Sequence, residues 1–287
     1  MYETVSKVIQ TELTDEPQTI TWDHPLWSLF MGFEHDRIHF ETSSVLFREA
    51  PLHLVQKPKG WAAHPSLTSQ PTHTPIKGNE YPSTNPMLAV NGDNVQLGKP
   101  RSFPSYGWDN EYGTRHVDTP DFSASKYMIT NGEYLEFVQG SGYLNEKYWS
   151  KDGWGWRSHR NTKSPFWWKT DGPQGSNRFK LRTIFEEIDM PWDAPVCVNH
   201  HEAKAYCAWK SMQDGHENKE EYRLPTETEW NLLKNDSMSL KEVRTNPDQD
   251  LVLVNSGSDF KNNKIGNSNL AFGSETPVSM FPPRYVK

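Results

Sequence analysis

Between Pro25 and Pro51 the chain runs for 25 residues without a proline, and Gly32 is the only glycine in the run. Asp23 and His24 lead into Pro25 as a helix start should, and Pro51 closes the stretch. The pattern predicts a helix over residues 25–49, about 37 Å long at about 1.5 Å per residue. A helix of that length needs packing partners. Residues 1–24 offer only Val5, Val8 and Ile9 on one face of a short helix. The expectation is that a partner chain supplies the rest of a helical bundle, or that this chain lacks its beginning.

His35 and His39 lie four residues apart on this helix, stacked one turn apart on one face. Two imidazoles at that spacing can reach a single metal ion. Met31, Gly32, Ile38, Thr42 and Leu46 fall near the same side at about 100° per residue. Gly32 leaves space one turn before His35, and the apolar neighbours would keep a bound ion partly dry. Glu41 lies about 200° round from His39, which excludes it as a third ligand from this helix and leaves a supporting or packing role. The plainer alternative stays open, because histidines four apart on a helix are common by chance. A catalytic metal also usually takes three protein ligands, and the spacing supplies two.

The rest of the chain limits the setting. Only 34% of residues are hydrophobic, yet 13% are aromatic and 12 are tryptophan. That predicts a compact, loop-rich fold with a core of large rings rather than a disordered chain. The net charge of −7 is interspersed, which argues against nucleic-acid binding. No apolar run approaches a membrane span, no signal peptide opens the chain, and Cys197 and Cys207 make no disulfide framework. The cytoplasm is the default location.

Six prolines fall within residues 57–88, so that stretch reads as a surface linker, with His53, His64 and His73 in or beside it solvated. Residues 89–98 read as a hairpin about Asn91-Gly92. Residues 117–127 read as a strand with a proline at its edge. Thr130 to Val138 reads as a helix with Thr130 as its N-cap and Glu133 at the capping-box position, ended by Gly140 and Gly142. Trp149, Trp154, Trp156, Trp167, Trp168, Trp192 and Trp209 read as core, with a pocket lining as the alternative. Residues 195–198 read as a strand, followed by a cap at Asn199 and a helix burying Ala203, Tyr206 and Cys207, with His200 and His201 structural at its entrance. Tyr222 to Leu224 reads as a strand, and Thr226 with Glu229 as the start of a last helix.

Several of these stretches together resemble one family. Pro195-Val-x-Val-Asn199, Glu202-Ala203-x-Ala205-Tyr206-Cys207-x-Trp209 and Arg223-Leu224-Pro225-Thr226-Glu227-x-Glu229-Trp230 look like the formylglycine-generating-enzyme (sulfatase-modifying factor) fold. Asn91-Gly92, Leu97-Gly98, Ser125-Lys126-Tyr127 and Thr130-Asn131-x-x-Tyr134-x-x-Phe137-Val138 match the N-terminal half of that domain. The fold class implied is α+β. On this resemblance residues 89–287 would be a loop-rich C-type-lectin-like domain of the formylglycine-generating type and 57–88 the Pro-rich linker. Residues 1–56, which carry the histidine helix, are expected to be the remnant of a DinB-like helical bundle.

The His-x-x-x-His-x-Glu helix joined to such a domain resembles the iron-dependent sulfoxide synthases of thiol-histidine biosynthesis. Glu34-His35-x-Arg37-Ile38-His39-x-Glu41-Thr42-Ser43-Ser44-Val45 is closer to the ovothiol branch, the 5-histidylcysteine sulfoxide synthases, than to the ergothioneine branch. Tyr106-Gly107-Trp108-Asp109-Asn110-Glu111-Tyr112-Gly113 fits as well. The resemblance implies a mononuclear non-haem iron(II) held by three histidines, two of which map onto His35 and His39, with Glu41 a motif residue and not a ligand. It implies cysteine, histidine and O₂ as small-molecule substrates.

The departures are equally specific. The third histidine of the family lies on an earlier bundle helix that has no counterpart here, and His24 is too near the helix start to take that role. The family's catalytic tyrosine follows the Pro277-Val278-x-Met280 region, so no catalytic residue is placed by number. The chain thus resembles an internal piece of a longer enzyme, completed by a separate chain carrying the N-terminal part or left as an inactive fragment. A DinB-like metal-dependent thiol transferase with a fused binding domain is a rival from another enzyme class. A formylglycine-generating activity is disfavoured by the lack of a downstream cysteine pair.

Overall fold

A computed structural model describes residues 2–12, 20–61, 63–65, 85–103, 106–173, 175–217, 221–235 and 274–280. His73, most of the Pro-rich stretch and Phe281 to Pro283 lie outside the described residues. The chain divides into two compact units that interleave in sequence. One comprises Met1–Ala50 with Gln96–Val117, and the other Pro51–Val95 with Asp118–Lys287.

The first unit holds α1 (Tyr2–Glu12) and α2 (Trp27–Glu49). α2 starts and stops within two residues of the sequence expectation. No side chain of Leu26 caps it; instead the Leu26 amide donates to His24 Nδ1 at 3.1 Å. Ala50 leaves the helical region and Pro51 stops the run. Rings gather around the start of α2. Trp22 stacks on Trp27 at 5.2 Å, Tyr112 meets Trp22 at 4.6 Å, and Tyr106 meets Trp27 at 5.0 Å. The Arg101 guanidinium lies 4.9 Å over the Trp22 ring, and Lys99 donates to the Tyr106 carbonyl. Gly98 has a φ of +91°, and a Cβ there would lie 2.3 Å from the Gly113 carbonyl oxygen, so no other residue fits.

Beyond α2 the chain forms small sheets, and the second unit has a ring-rich core. β1 (Met87–Val90) pairs with β4 (Phe122–Ser125), from Met87 opposite Ser125 to Val90 opposite Phe122. β2 (Asp93–Leu97) pairs with β3 (Arg115–Thr119). Residues 89–98 are therefore not a hairpin: the strands flanking Asn91-Gly92 take partners from farther along the chain. The link passes so close to Thr119 that a Cβ on Gly92 would sit 2.1 Å from its carbonyl oxygen, and the Gly92 amide donates to Asp121 Oδ1 at 2.7 Å. Pro120 has no amide hydrogen for a ladder and splits the stretch read as one strand into β3 and β4.

α3 (Asn131–Gln139) begins with the capping box read from the sequence, Thr130 with Glu133. Its first amides are also taken up, Asn131 by the Ala194 carbonyl at 2.8 Å and Gly132 by Trp192 at 2.9 Å. α4 (Lys151–Arg160) follows, then the three-stranded meander β5 (Trp168–Thr170), β6 (Phe179–Arg182) and β7 (Glu187–Asp189). Residues 195–198 make only a bridge from Pro195 to Thr130, not a strand. α5 (His200–Gln213) has the Asn199 and Glu202 box and buries Ala205, Tyr206, Ala208 and Trp209. Ala203 and Cys207, read as buried, are only half-buried, since the core face is set one residue round. Arg223 to Thr226 form no strand before α6 (Glu227–Asn235).

Trp149, Trp167, Trp168, Trp192 and Trp209 are buried around Phe137, while Trp154 and Trp156 pack at the margin. The core reading of the tryptophans holds. Among the described residues, no helix is long and apolar enough to cross a membrane. His64, read as solvated, is buried and hydrogen-bonded to the Glu275 carbonyl at 2.7 Å. Sequence spacing sees the prolines around it and not the distant carbonyl it meets.

Candidate metal centre

On α2, His35 and His39 bring their Nε2 atoms to 3.1 Å, with ring centroids 4.3 Å apart and planes at 74°. With metal–nitrogen bonds of about 2.1 Å, such a separation subtends an angle of about 95° at an ion, the angle between neighbouring positions of an octahedron. The separation of the two nitrogens matches that of two adjacent coordination positions, and the contact itself is a hydrogen bond between the rings. Asp36 Oδ1 stands 3.9 Å from His35 Nδ1, too far for a hydrogen bond that would orient the ring. Glu34 pairs with Arg37 at 2.8 Å one position before His35. Glu41 is exposed and lies two residues beyond His39, on the far side of the helix.

The expected shelter is not provided by α2 itself. Met31, Ile38 and Leu46 are exposed, and a Cβ on Gly32 would meet nothing within 4 Å. Among the described residues, no group of three His, Cys, Asp or Glu side chains is placed to hold a metal ion. His24 accepts from the Leu26 amide, His53 is exposed, and His64 is taken up by Glu275.

A second polar group escaped the sequence reading. Glu202, the third residue of α5, does more than cap Asn199: its Oε1 accepts from the Tyr143 hydroxyl at 2.6 Å in the core. The Tyr134 hydroxyl lies 3.3 Å from that of Tyr143. Burial raises the Glu202 carboxyl, opposed by the Tyr143 hydroxyl and the Asn199 amide, and burial also holds both phenols well above their usual value. The phenols stay neutral, as donors in a structural knot. The capping-box position of Glu202 was its one visible signal. Burial pushes the Cys207 thiol up to about 11, so it is no thiolate nucleophile at neutral pH.

In the first unit, burial raises the Tyr106 phenol above its ordinary value, and Tyr112, Asp109, Glu111 and Glu34 add to the effect. The turn holding Asp109 and Glu111 is closed by the Trp108 amide donating to Glu111 Oε2 at 2.9 Å.

Parts of this chain are similar in sequence to other proteins. A hercynine oxygenase of Mycobacterium tuberculosis is 36% identical over 124 residues, 42% of this chain and 25% of that protein. The hercynine oxygenase of Mycolicibacterium smegmatis is 28% identical over 226 residues, 77% of this chain and 45% of that protein. A formylglycine-generating enzyme of Thermomonospora curvata is 25% identical over 167 residues, 51% of this chain and 47% of that protein. The chain thus spans less than half the length of each of these relatives. Residues 72–267 match the sulfatase-modifying factor enzyme 1-like domain, and the chain belongs to that family.

Proposed function

We propose that the complete protein is a non-haem iron(II)- and O₂-dependent sulfoxide synthase that joins the sulfur of cysteine to the imidazole carbon of histidine. The convergence of His35 and His39 Nε2 at 3.1 Å carries this reading. The hercynine oxygenases, whose name states an oxygenase reaction on a histidine derivative, support it. In the balanced reaction the thiol and the ring carbon each lose a hydrogen. One oxygen atom of O₂ ends on sulfur and the other leaves as water.

His35 and His39 would hold the metal through Nε2, and Glu41 would stay outside the coordination sphere. Iron(II) held there would supply Lewis-acid and redox chemistry toward a thiolate and O₂. Residues 1–56 are then the C-terminal part of a DinB-like bundle, 57–88 the Pro-rich connection and 89–287 the family domain. The remaining ligand comes from outside the described residues, from a separate chain or a further part of the same protein. The exposed Phe33, Ile38, Phe40 and Leu46 on α2 fit a surface that such a bundle covers.

A second reading, an inactive fragment or a DinB-like metal-dependent thiol transferase with a fused binding domain, is favoured by the two-histidine set of the described residues. Anaerobic iron(II) titration followed by oxygen exposure with cysteine and histidine separates the two. The synthase binds iron and couples the amino acids only in oxygen, and His35→Ala or His39→Ala abolishes iron retention in the complete protein. Metal binding with no oxygen-dependent coupled product would replace the first reading by the second.

A further inference from the structure

The described residues between Lys57 and Pro65 have almost no regular structure of their own, yet they are fastened at three successive places. Lys57 Nζ pairs with Glu186 Oε1 at 2.8 Å. Four residues on, the Trp61 ring meets Phe185 edge-on, centroids 4.9 Å apart at 82°. Three further on, His64 Nε2 lies 2.7 Å from the Glu275 carbonyl oxygen, with the residue 2% exposed. A carbonyl only accepts, so Nε2 carries the proton, which fixes the His64 tautomer.

The two things this segment grips are themselves held in different ways. Glu186 and Phe185 lie in the turn between β6 and β7, closed by the Thr183 amide donating to the Glu186 carbonyl at 2.9 Å. Residues 274–280 have no helix or strand. One of their attachments is the Val278 amide donating to the Asp193 carbonyl at 2.9 Å, and Thr276, two residues before it, is buried. Ala194, the next residue, accepts from the first amide of α3. Ordering a segment that has no ladder costs backbone entropy with no strand pairing to offset it, so side-chain anchors matter more to keeping it in place.

We propose that residues 57–65 are a strap that holds the 274–280 segment against the second unit, with His64 as its latch and the Lys57 and Trp61 contacts as its fixed end. The strap lies before the matched range of the family domain and is independent of the reaction proposed above. It ties stretches more than 200 residues apart in sequence, as the pairing of His64 with Glu275 spans 211 positions.

Hydrogen–deuterium exchange on the full chain tests this. His64→Ala leaves the Glu275 carbonyl without this donor and should speed exchange of the Val278 amide about tenfold, with the amides of α3 and α5 unchanged. His64→Gln, which returns an amide donor at similar reach, should restore most of the protection. Trp61→Ala should loosen the same amide to a lesser degree, and it serves if His64→Ala does not fold. Unchanged protection at Val278 in His64→Ala would overturn the proposal. So would a uniform loss across α3 and α5, which would make His64 an ordinary core residue.

Discussion

α2 presents Phe33, Phe40, Leu46 and Phe47 to solvent, whereas α5 buries Ala205, Tyr206, Ala208 and Trp209 against a ring-lined core. The two helices also start differently. Asn199 and Glu202 close a full capping box on α5, while α2 has no side-chain cap from Leu26. Each carries two histidines. Those of α5 are consecutive, so their directions differ by about 100° and their rings stand 6.0 Å apart. Those of α2 are one turn apart and converge. α5 is thus specified by its own ends and by the core beneath it. α2 has geometry suited to a ligand on a surface that its own unit leaves largely open.

The largest effect that sharpens this contrast lies under α5. Phe137 is fully buried and meets Tyr134, Tyr143, Tyr206 and Trp209. Phe137→Ala should cost about 3–5 kcal/mol in denaturant unfolding. A loss below 1 kcal/mol would mean the core is loose there and the contrast false.

A smaller effect sits at the start of α6. Arg223 grips buried Glu229 with two bonds, Nη1 to Oε2 at 2.7 Å and Nη2 to Oε1 at 2.6 Å. The Arg223 hydrogen bonds outweigh burial and hold the Glu229 carboxyl at about 2 against an ordinary 4.5. A folded value below the unfolded one stabilises fully above about pH 4.5, and that stability is lost as the pH falls through about 2. Because Arg223 is half-exposed, the contribution is about 1–2 kcal/mol. Unfolding curves of Arg223→Ala should show a flatter acid limb in that window. An unchanged limb would remove the ion pair from the account. Next, Asn199→Ala should cost about 1 kcal/mol through the lost cap of α5.

How much of this was legible follows from the range of each interaction. The boxes at Thr130, Asn199 and Thr226 are set by residues three apart, and all three are present. The extent of α2 was readable because Pro25 and Pro51 bound it. The hairpin at Asn91-Gly92 failed because that signal is local, while Met87 pairs with Ser125 and Val90 with Phe122. His64 failed for the same reason. The pair of histidines on α2 was legible as a spacing, and their 3.1 Å approach follows from the helix. Their exposure did not follow, because burial depends on what packs over α2.

The smallest stability effects belong to α2, and they separate its two roles. Phe40→Ser and Leu46→Ser should change the stability of this chain by no more than about 0.5 kcal/mol, because 72% and 67% of those residues are already exposed. His35→Ala and His39→Ala should leave stability equally untouched. Yet each removes one of two donors 3.1 Å apart, so calorimetric titration with a divalent transition metal should weaken at least about tenfold. His200→Ala and His201→Ala provide the control from α5. Their rings do not converge, and the same titration should be unchanged. If all four substitutions weakened binding alike, the metal would be reading exposed imidazole in general, and the one-turn spacing on α2 would carry no chemistry. If only the α2 pair mattered, the site would be defined by helix geometry, before any covering bundle or third ligand is added.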